Sequence, residues 1–190
     1  MAYPKKSVMD FKKNIALRVG DEALKSRLIS RLAADYSYWL GGFFTVEIRS
    51  GSAREGFMLR TPDGRSEIMA SKAILSPVSF NKYGVDLRAL DGLAAHSLAG
   101  ARKNGKIALL DELGPLTLQA KALAAAVLET LASDTPCLVT FRRGAGRFSA
   151  AFFKMADTEV LDLSASGLPG VRSRLDGWME FWIGRLKAEG

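Results

Sequence analysis

Hydrophobic positions change their period several times along the chain, and each change marks an element. Asn14-Ile15-Ala16-Leu17-Arg18-Val19 reads as a short strand that stops at Gly20. From Asp21 to about Trp39 the apolar residues Leu24, Leu28, Leu32 and Tyr36 recur every four positions, with Ile29 and Ala33 beside them, which predicts an amphipathic helix. Asp21 is a natural N-cap, and Glu22 suits the positive helix end. Gly41-Gly42 breaks the pattern. Phe43–Arg49, Gly56–Thr61 and Glu67–Ala70 then read as strands, separated by turns at Gly51-Ser52 and Pro62-Asp63-Gly64. Their close spacing predicts antiparallel pairing. A loop with Pro77 and Gly84 leads to a helix from about Leu87 to Lys103, ended by Asn104-Gly105.

The second half alternates more regularly. Within Lys106–Leu110, Ile107-Ala108-Leu109-Leu110 is apolar at every position, the pattern of a parallel strand buried on both faces. Pro115–Ala132 reads as a helix, Cys137–Phe141 and Glu159–Leu163 as strands, and Leu175–Leu186 as a C-terminal helix. Trp178, Phe181 and Trp182 recur at helical spacing and read as core. The predicted class is α/β: a three-layer fold with a mainly parallel central sheet and an antiparallel hairpin insertion. Strands 15–19, 107–110 and 137–141 are expected to be central.

Composition narrows the class without changing it. A chain of 190 residues, 48% hydrophobic and 25% charged, is neither a disordered tail, a collagen nor a disulfide miniprotein. A single domain over 14–190 is expected, preceded by a basic extension over 1–13. No apolar run approaches the roughly 20 residues that span a bilayer, and the first residues lack the apolar core of a secretory signal. Cys137 has no cysteine to pair with, which points to a reducing, cytoplasmic setting. The net charge of +7 is concentrated in residues 1–20 and 135–156, leaving the remainder close to neutral. Those two zones favour an anionic partner, phosphate or nucleic acid, although no nucleic-acid motif accompanies them. His96 stands alone and is read as a surface or packed residue, not a ligand.

Candidate chemistry sits at two strand ends. The apolar strand 107–110 runs into Asp111-Glu112, as a Walker B strand does, where the first acid holds Mg²⁺ and the second orients or deprotonates water. Such a site also needs the phosphate loop G-x-x-x-x-G-K-[ST]. Anchored on Lys25-Ser26, its glycines would stand at positions 19 and 24, which hold Val19 and Leu24. Counted from Gly20, the loop is one residue short and its second glycine is missing. Asp21 and Glu22 add two carboxylates to the same loop, opening the idea that one of them fills the anion site. Taken locally, Val19–Ser26 reads as a strand, a turn and a capped helix with a surface lysine.

Several longer stretches resemble one family. They are Gly41-Gly42-Phe43-Phe44-Thr45-Val46-Glu47-Ile48-Arg49 with Arg54-Glu55-Gly56-Phe57, then Asn81-Lys82-Tyr83-Gly84-Val85-Asp86, Leu109-Leu110-Asp111-Glu112-Leu113-Gly114-Pro115-Leu116, and Thr140-Phe141-Arg142-Arg143. Over roughly residues 14–186 the chain is similar to the small P-loop nucleoside-triphosphatases described from thermophiles, called cancer-related nucleoside-triphosphatase in vertebrates. The resemblance implies a RecA-like P-loop fold that binds ATP, GTP or another nucleoside triphosphate with Mg²⁺. By position it implies that Gly20 and Lys25 face phosphate, Ser26 and Asp111 serve the Mg²⁺, and Glu112 positions or activates water as the catalytic residue. Arg142 and Arg143 would supply positive charge beside the phosphates.

Three functions follow. The broken loop favours a nucleotide-fold protein with weak or lost binding and hydrolysis, acting as a binding or regulatory module. An active Mg²⁺-dependent nucleoside-triphosphatase with an unusual loop comes next, and a polyanion or nucleic-acid binder last.

Overall fold

The computed structural model describes residues 11–143 and 147–189. Lys5, Lys6 and the rest of positions 1–10 of the expected basic extension lie outside them. Strand β1 (Asn14–Val19) leads to helix α1 (Glu22–Asp35). Strands β2 (Leu40–Ser50), β3 (Ala53–Arg60), β4 (Ser66–Ser71), β5 (Ser79–Phe80) and β6 (Tyr83–Val85) follow. A helical stretch runs through α2 (Leu87–Ala89), a π-turn segment (Leu90–Ala94) and α3 (Ala95–Lys103). Next come β7 (Ile107–Leu110), α4 (Pro115–Gln119), α5 (Lys121–Ala132), β8 (Cys137–Arg142), α6 (Arg147–Lys154), β9 (Thr158–Leu163) and α7 (Leu168–Glu189).

All the strands belong to one nine-stranded sheet, ordered β5-β6-β4-β3-β2-β7-β8-β1-β9. The run β2-β7-β8-β1-β9 pairs in parallel, and strands 107–110, 137–142 and 14–19 are its central members, as their apolar patterns predict. The rest pairs antiparallel. The sheet is therefore evenly mixed instead of mainly parallel. The join is β2 itself. Its first residues, Leu40–Phe43, pair in parallel with Ile107–Leu110, and its remainder turns back on β3 around Gly51-Ser52.

Alternation along β7 explains the three layers. Ile107 and Leu109 join Leu28, Leu32, Leu175 and Trp178 under helices α1 and α7. Ala108 and Leu110 join Leu98, Leu123 and Val127 under α3 and α5. All four β7 residues are fully buried, as a strand covered on both faces requires.

Local differences from the sequence reading have physical causes. Helix α1 stops at Asp35, four residues earlier than its apolar period suggested. The amide of Leu40 donates to the Tyr36 carbonyl at 3.0 Å, closing a turn that releases the chain into β2. Gly41-Gly42, read as a break, lies inside that strand. A Cβ on Gly41 would stand 2.7 Å from the Ala101 Cβ, and one on Gly42 would stand 2.2 Å from the Leu109 carbonyl oxygen. Bare backbone is what lets β2 pack between α3 and β7. Gly42 also holds φ +91°, and Gly42→Ala is expected to destabilise the fold by about 1–3 kcal/mol in urea unfolding. The single helix expected over Pro115–Ala132 is divided at Ala120, which is extended (ψ 97°). Asp91 Oδ1 accepts the amides of Ala122 and Leu123 at 2.8 and 3.1 Å, capping α5 from the π-turn segment.

Cys137 is fully buried, and burial pushes its thiol up to about 12, so it is chemically quiet. His96 is exposed on α3 with Nδ1 2.7 Å from the Gly92 carbonyl. Among the described residues no helix is long and apolar enough to cross a membrane.

Candidate functional site

The carboxyl ends of β1, β2, β7 and β8 meet at one edge of the parallel half, where open α/β sheets present their ligand sites. Asp111 and Glu112 leave β7 there. Arg142 ends β8, and Thr45 and Thr140 face the acids from the strands on either side. Lys25 reaches in from the first turn of α1.

Asp111 is completely buried and accepts from four donors. Its Oδ2 accepts the Thr45 amide and hydroxyl, each at 2.9 Å, and the Lys25 ammonium at 3.2 Å. Its Oδ1 accepts the Thr140 hydroxyl at 2.6 Å. That same hydroxyl accepts the Glu112 amide at 2.8 Å, so one threonine spaces the two acids. Glu112 sits at φ +56°, a left-handed conformation that costs a non-glycine residue on the order of 1–3 kcal/mol. This backbone turns the Glu112 carboxylate back toward the site. Its Oε1 accepts Lys25 at 2.5 Å, and its Oε2 accepts Arg142 at 3.4 Å.

Lys25 is the main departure from the local reading. It is not a surface lysine, since its side chain is 1% exposed. Burial works against its charge, but Asp111, Glu112 and Glu22 together outweigh it and leave the ammonium raised above its ordinary value. The cause of the burial is helical phase. Only Gly20 and Asp21 separate β1 from α1, so the helix has formed by residue 25, and Lys25 stands three and four positions before the buried Leu28 and Ile29, on the inner face. Asp21 accepts the Leu24 amide at 2.9 Å as the N-cap, filling the helix end where a phosphate would bind. Glu22 reaches the Arg142 Nε at 3.1 Å and the Lys25 Nζ at 3.7 Å.

Three carboxylates, Glu22, Asp111 and Glu112, thus share the cations Lys25 and Arg142. Glu22 is the least buried of the three, with 44% of its side chain exposed. Its partial burial and the Glu112 charge raise it above the ordinary carboxyl value. The stability linked to a raised carboxyl is present below the unfolded value and lost as pH rises through the folded one. Glu22→Gln is therefore expected to be neutral or stabilising at pH 7, by less than about 1 kcal/mol after solvent screening. The difference should vanish below about pH 4 in pH-dependent urea unfolding.

Of the remaining expected residues, Ser26 is half-buried and borders a small cavity with Lys25, Glu112 and Arg142. Gly20 is exposed and donates to the Leu163 carbonyl at 3.3 Å. A Cβ there would meet only ordinary contacts, so the position does not require glycine. Arg143 pairs with Asp162 at 3.6 Å. Thr45 and Thr140 carry as much of the site as the acids, yet sequence reasoning gave them no role. Their only signal is a threonine directly after an apolar run, Phe43-Phe44 before Thr45 and Leu138-Val139 before Thr140.

The arrangement does not suit Mg²⁺. Asp111 Oδ2 already accepts three donors and Oδ1 one, and the Lys25 ammonium lies between the two acids where a cation would approach them. Among the described residues no group of three or more His, Cys, Asp or Glu side chains is placed to hold a metal. The cavity beside Lys25 is about 20 Å³, room for about one water.

Comparison with known proteins places this chain in a family. The NTPase family profile (NTPase_1) matches residues 18–167. The nucleoside-triphosphatase THEP1 of Methanocaldococcus jannaschii is 31% identical over 125 residues, covering 66% of this chain and 73% of that protein. The Methanosarcina barkeri THEP1 is 29% identical over 156 residues, covering 80% and 88%. Among solved structures, THEP1 from Aquifex aeolicus superposes with a TM-score of 0.64 at 23% identity, covering 81% of this chain and 90% of that one. A human cancer-related nucleoside triphosphatase superposes at 0.63 and 20%, covering 88% and 98%. The shared fold is that of a P-loop NTPase, with a large mixed sheet.

Proposed function

This chain belongs to the NTPase family that includes the THEP1 nucleoside-triphosphatases, and from that premise we propose that its own side chains close the phosphate site. Nucleoside triphosphate with Mg²⁺ then binds weakly or not at all, hydrolysis runs near background, and the protein acts as a binding or regulatory module. The observation that carries this reading is the two-residue connection between β1 and α1. A phosphate loop works through a run of backbone amides that wrap the phosphates before the helix begins. Here the helix has already begun, and the Asp21 side chain takes one of its first amides, that of Leu24. The Lys25–Asp111–Glu112 contacts support the same reading, because an incoming phosphate must displace two carboxylates from one lysine.

The convergence of Lys25, Asp111, Glu112 and Arg142 at the strand ends favours a second reading, an active nucleoside-triphosphatase with an unusual loop. In that case Glu112, held in its left-handed conformation, positions water. A calorimetric titration with ATP and Mg²⁺, combined with phosphate release, separates the two. The closed-site reading expects no saturation below about 1 mM, which is about −4 kcal/mol of binding, and equal background release from wild type and Glu112→Gln. Micromolar binding with turnover abolished by Glu112→Gln establishes the enzyme instead.

A further inference from the structure

Beyond the Asp111–Glu112 pair lies a second, larger cavity of about 390 Å³. It is framed by β2, β3 and β4 on one side and by the Leu113–Gln119 segment and α5 on the other. Glu112 and Arg142 form a wall common to it and to the small cavity beside Lys25. We infer that this larger cavity binds an aromatic monocarboxylate, with the ring among Phe43, Phe57, Phe80 and Met69 and the carboxylate at Arg142 and Arg143.

Size and lining argue for the body of the ligand. Pockets of about 300–1,000 Å³ with apolar walls and a few convergent polar groups are the usual form of small-molecule sites. Phe57 and Phe80 meet edge to face, with ring centroids 5.6 Å apart, and present aromatic surface of the kind a flat ring packs against.

Charge placement argues for the head. The cations at the mouth are accessible, with side chains of Arg142 and Arg143 46% and 63% exposed. The acids on the same wall are recessed: Asp111 is fully buried under four donors, and Glu112 is 19% exposed and already held by Lys25. Within the cavity an entering anion therefore meets guanidinium before Asp111 or Glu112, and Glu22 and Asp162, which pair with the two arginines, are not among the residues that line it. The Arg143–Asp162 contact is long, at 3.6 Å, and so is the Arg142 Nη2–Glu112 contact, at 3.4 Å, while Arg142 Nε stays on Glu22 at 3.1 Å, so Arg143 and the Nη2 edge of Arg142 are the groups that can turn to a ligand. Arg142 also lies 5.4 Å from the Phe80 ring centroid, linking the polar mouth to the aromatic floor. One negative charge matches this mouth, whereas a triphosphate would meet Glu22, Asp111 and Glu112 together. The inference deepens the binding-module reading and rests on it for a shared wall that no triphosphate contests.

Titration of the full chain with 2-naphthoate, and with uncharged 2-naphthamide as its counterpart, tests it. Saturable one-site binding of 2-naphthoate is expected, with the amide about tenfold weaker or more, and Arg143→Glu is expected to weaken naphthoate by about tenfold. Leu116→Trp, which fills the cavity, should abolish binding while the thermal midpoint stays near that of the parent. If that variant fails to fold, Arg143→Glu, at an exposed position, still decides. Absence of saturable naphthoate binding, equal binding of the amide, or unchanged affinity in Arg143→Glu overturns the inference. Phosphate release from ATP in the same samples keeps the two readings apart. Turnover lost in Glu112→Gln refutes the closed phosphate site and leaves a positive naphthoate result standing. No turnover together with no naphthoate binding overturns the cavity alone.

Discussion

Lys25→Met is expected to cost about 3–5 kcal/mol of stability, the cost of stripping one partner from a buried ion pair. The loss comes from what remains. Asp111 stays fully buried beside Glu112, and two adjacent carboxylates lose the ammonium between them. Arg142 compensates Glu112 in part, through its 3.4 Å contact, so the measured value should fall toward the lower end. Urea unfolding midpoints at constant slope measure the effect. Adding Asp111→Asn and Glu112→Gln to Lys25→Met should recover most of it, because amides carry no charge to leave unpaired. A triple variant as unstable as the single one would mean that methionine packing, not charge, is the cause. The wild-type pair should be insensitive to pH across the neutral range. Lys25 is raised in the folded state, so its contribution is complete below its ordinary value of 10.5 and is lost only as pH climbs through the higher folded value.

Rebuilding the phosphate cradle is expected to raise affinity for ATP with Mg²⁺ by about a hundredfold or more, the equivalent of two new charge-assisted hydrogen bonds. The variant replaces Gly20–Leu24 with a six-residue Gly-x-x-x-x-Gly segment, so that the helix begins at Lys25. It removes Asp21 from the helix end and Glu22 from Lys25 and Arg142, and it returns free amides to the loop. Point substitutions alone should not achieve this. Val19 and Leu24 are each 5% exposed, Leu24 within the cluster that α1 shares with the sheet, and Asp21 caps the helix. Glycine or proline at these positions removes packing and a cap without lengthening the connection. Calorimetry of the insertion variant beside Val19→Gly/Asp21→Pro/Leu24→Gly makes the comparison. If the insertion gains no affinity, the obstacle is the Lys25–Asp111–Glu112 contact itself.

The central parallel strands were legible in the chain because an uninterrupted apolar run has one economical place in an α/β fold, between two layers of helices. Ile107-Ala108-Leu109-Leu110 is the clearest case, and the Asp111-Glu112 that follows it had to emerge at the sheet edge. The missing loop glycines were equally plain in the sequence, since they are a matter of residue identity. Tertiary structure alone decided what became of Lys25. The helical period sets residue 25 on the face of Ile29 and Leu32, but a lone lysine there reads as a surface residue until the fold brings two acids against it. It also decided the roles of Thr45 and Thr140, which matter only because β2 and β8 flank β7, a pairing that no local pattern announces. Gly41-Gly42 read as a break for the same reason. A glycine that ends a strand and one that lets a helix and a neighbouring strand close on it are identical in sequence, and only the approach of Ala101 and Leu109 tells them apart.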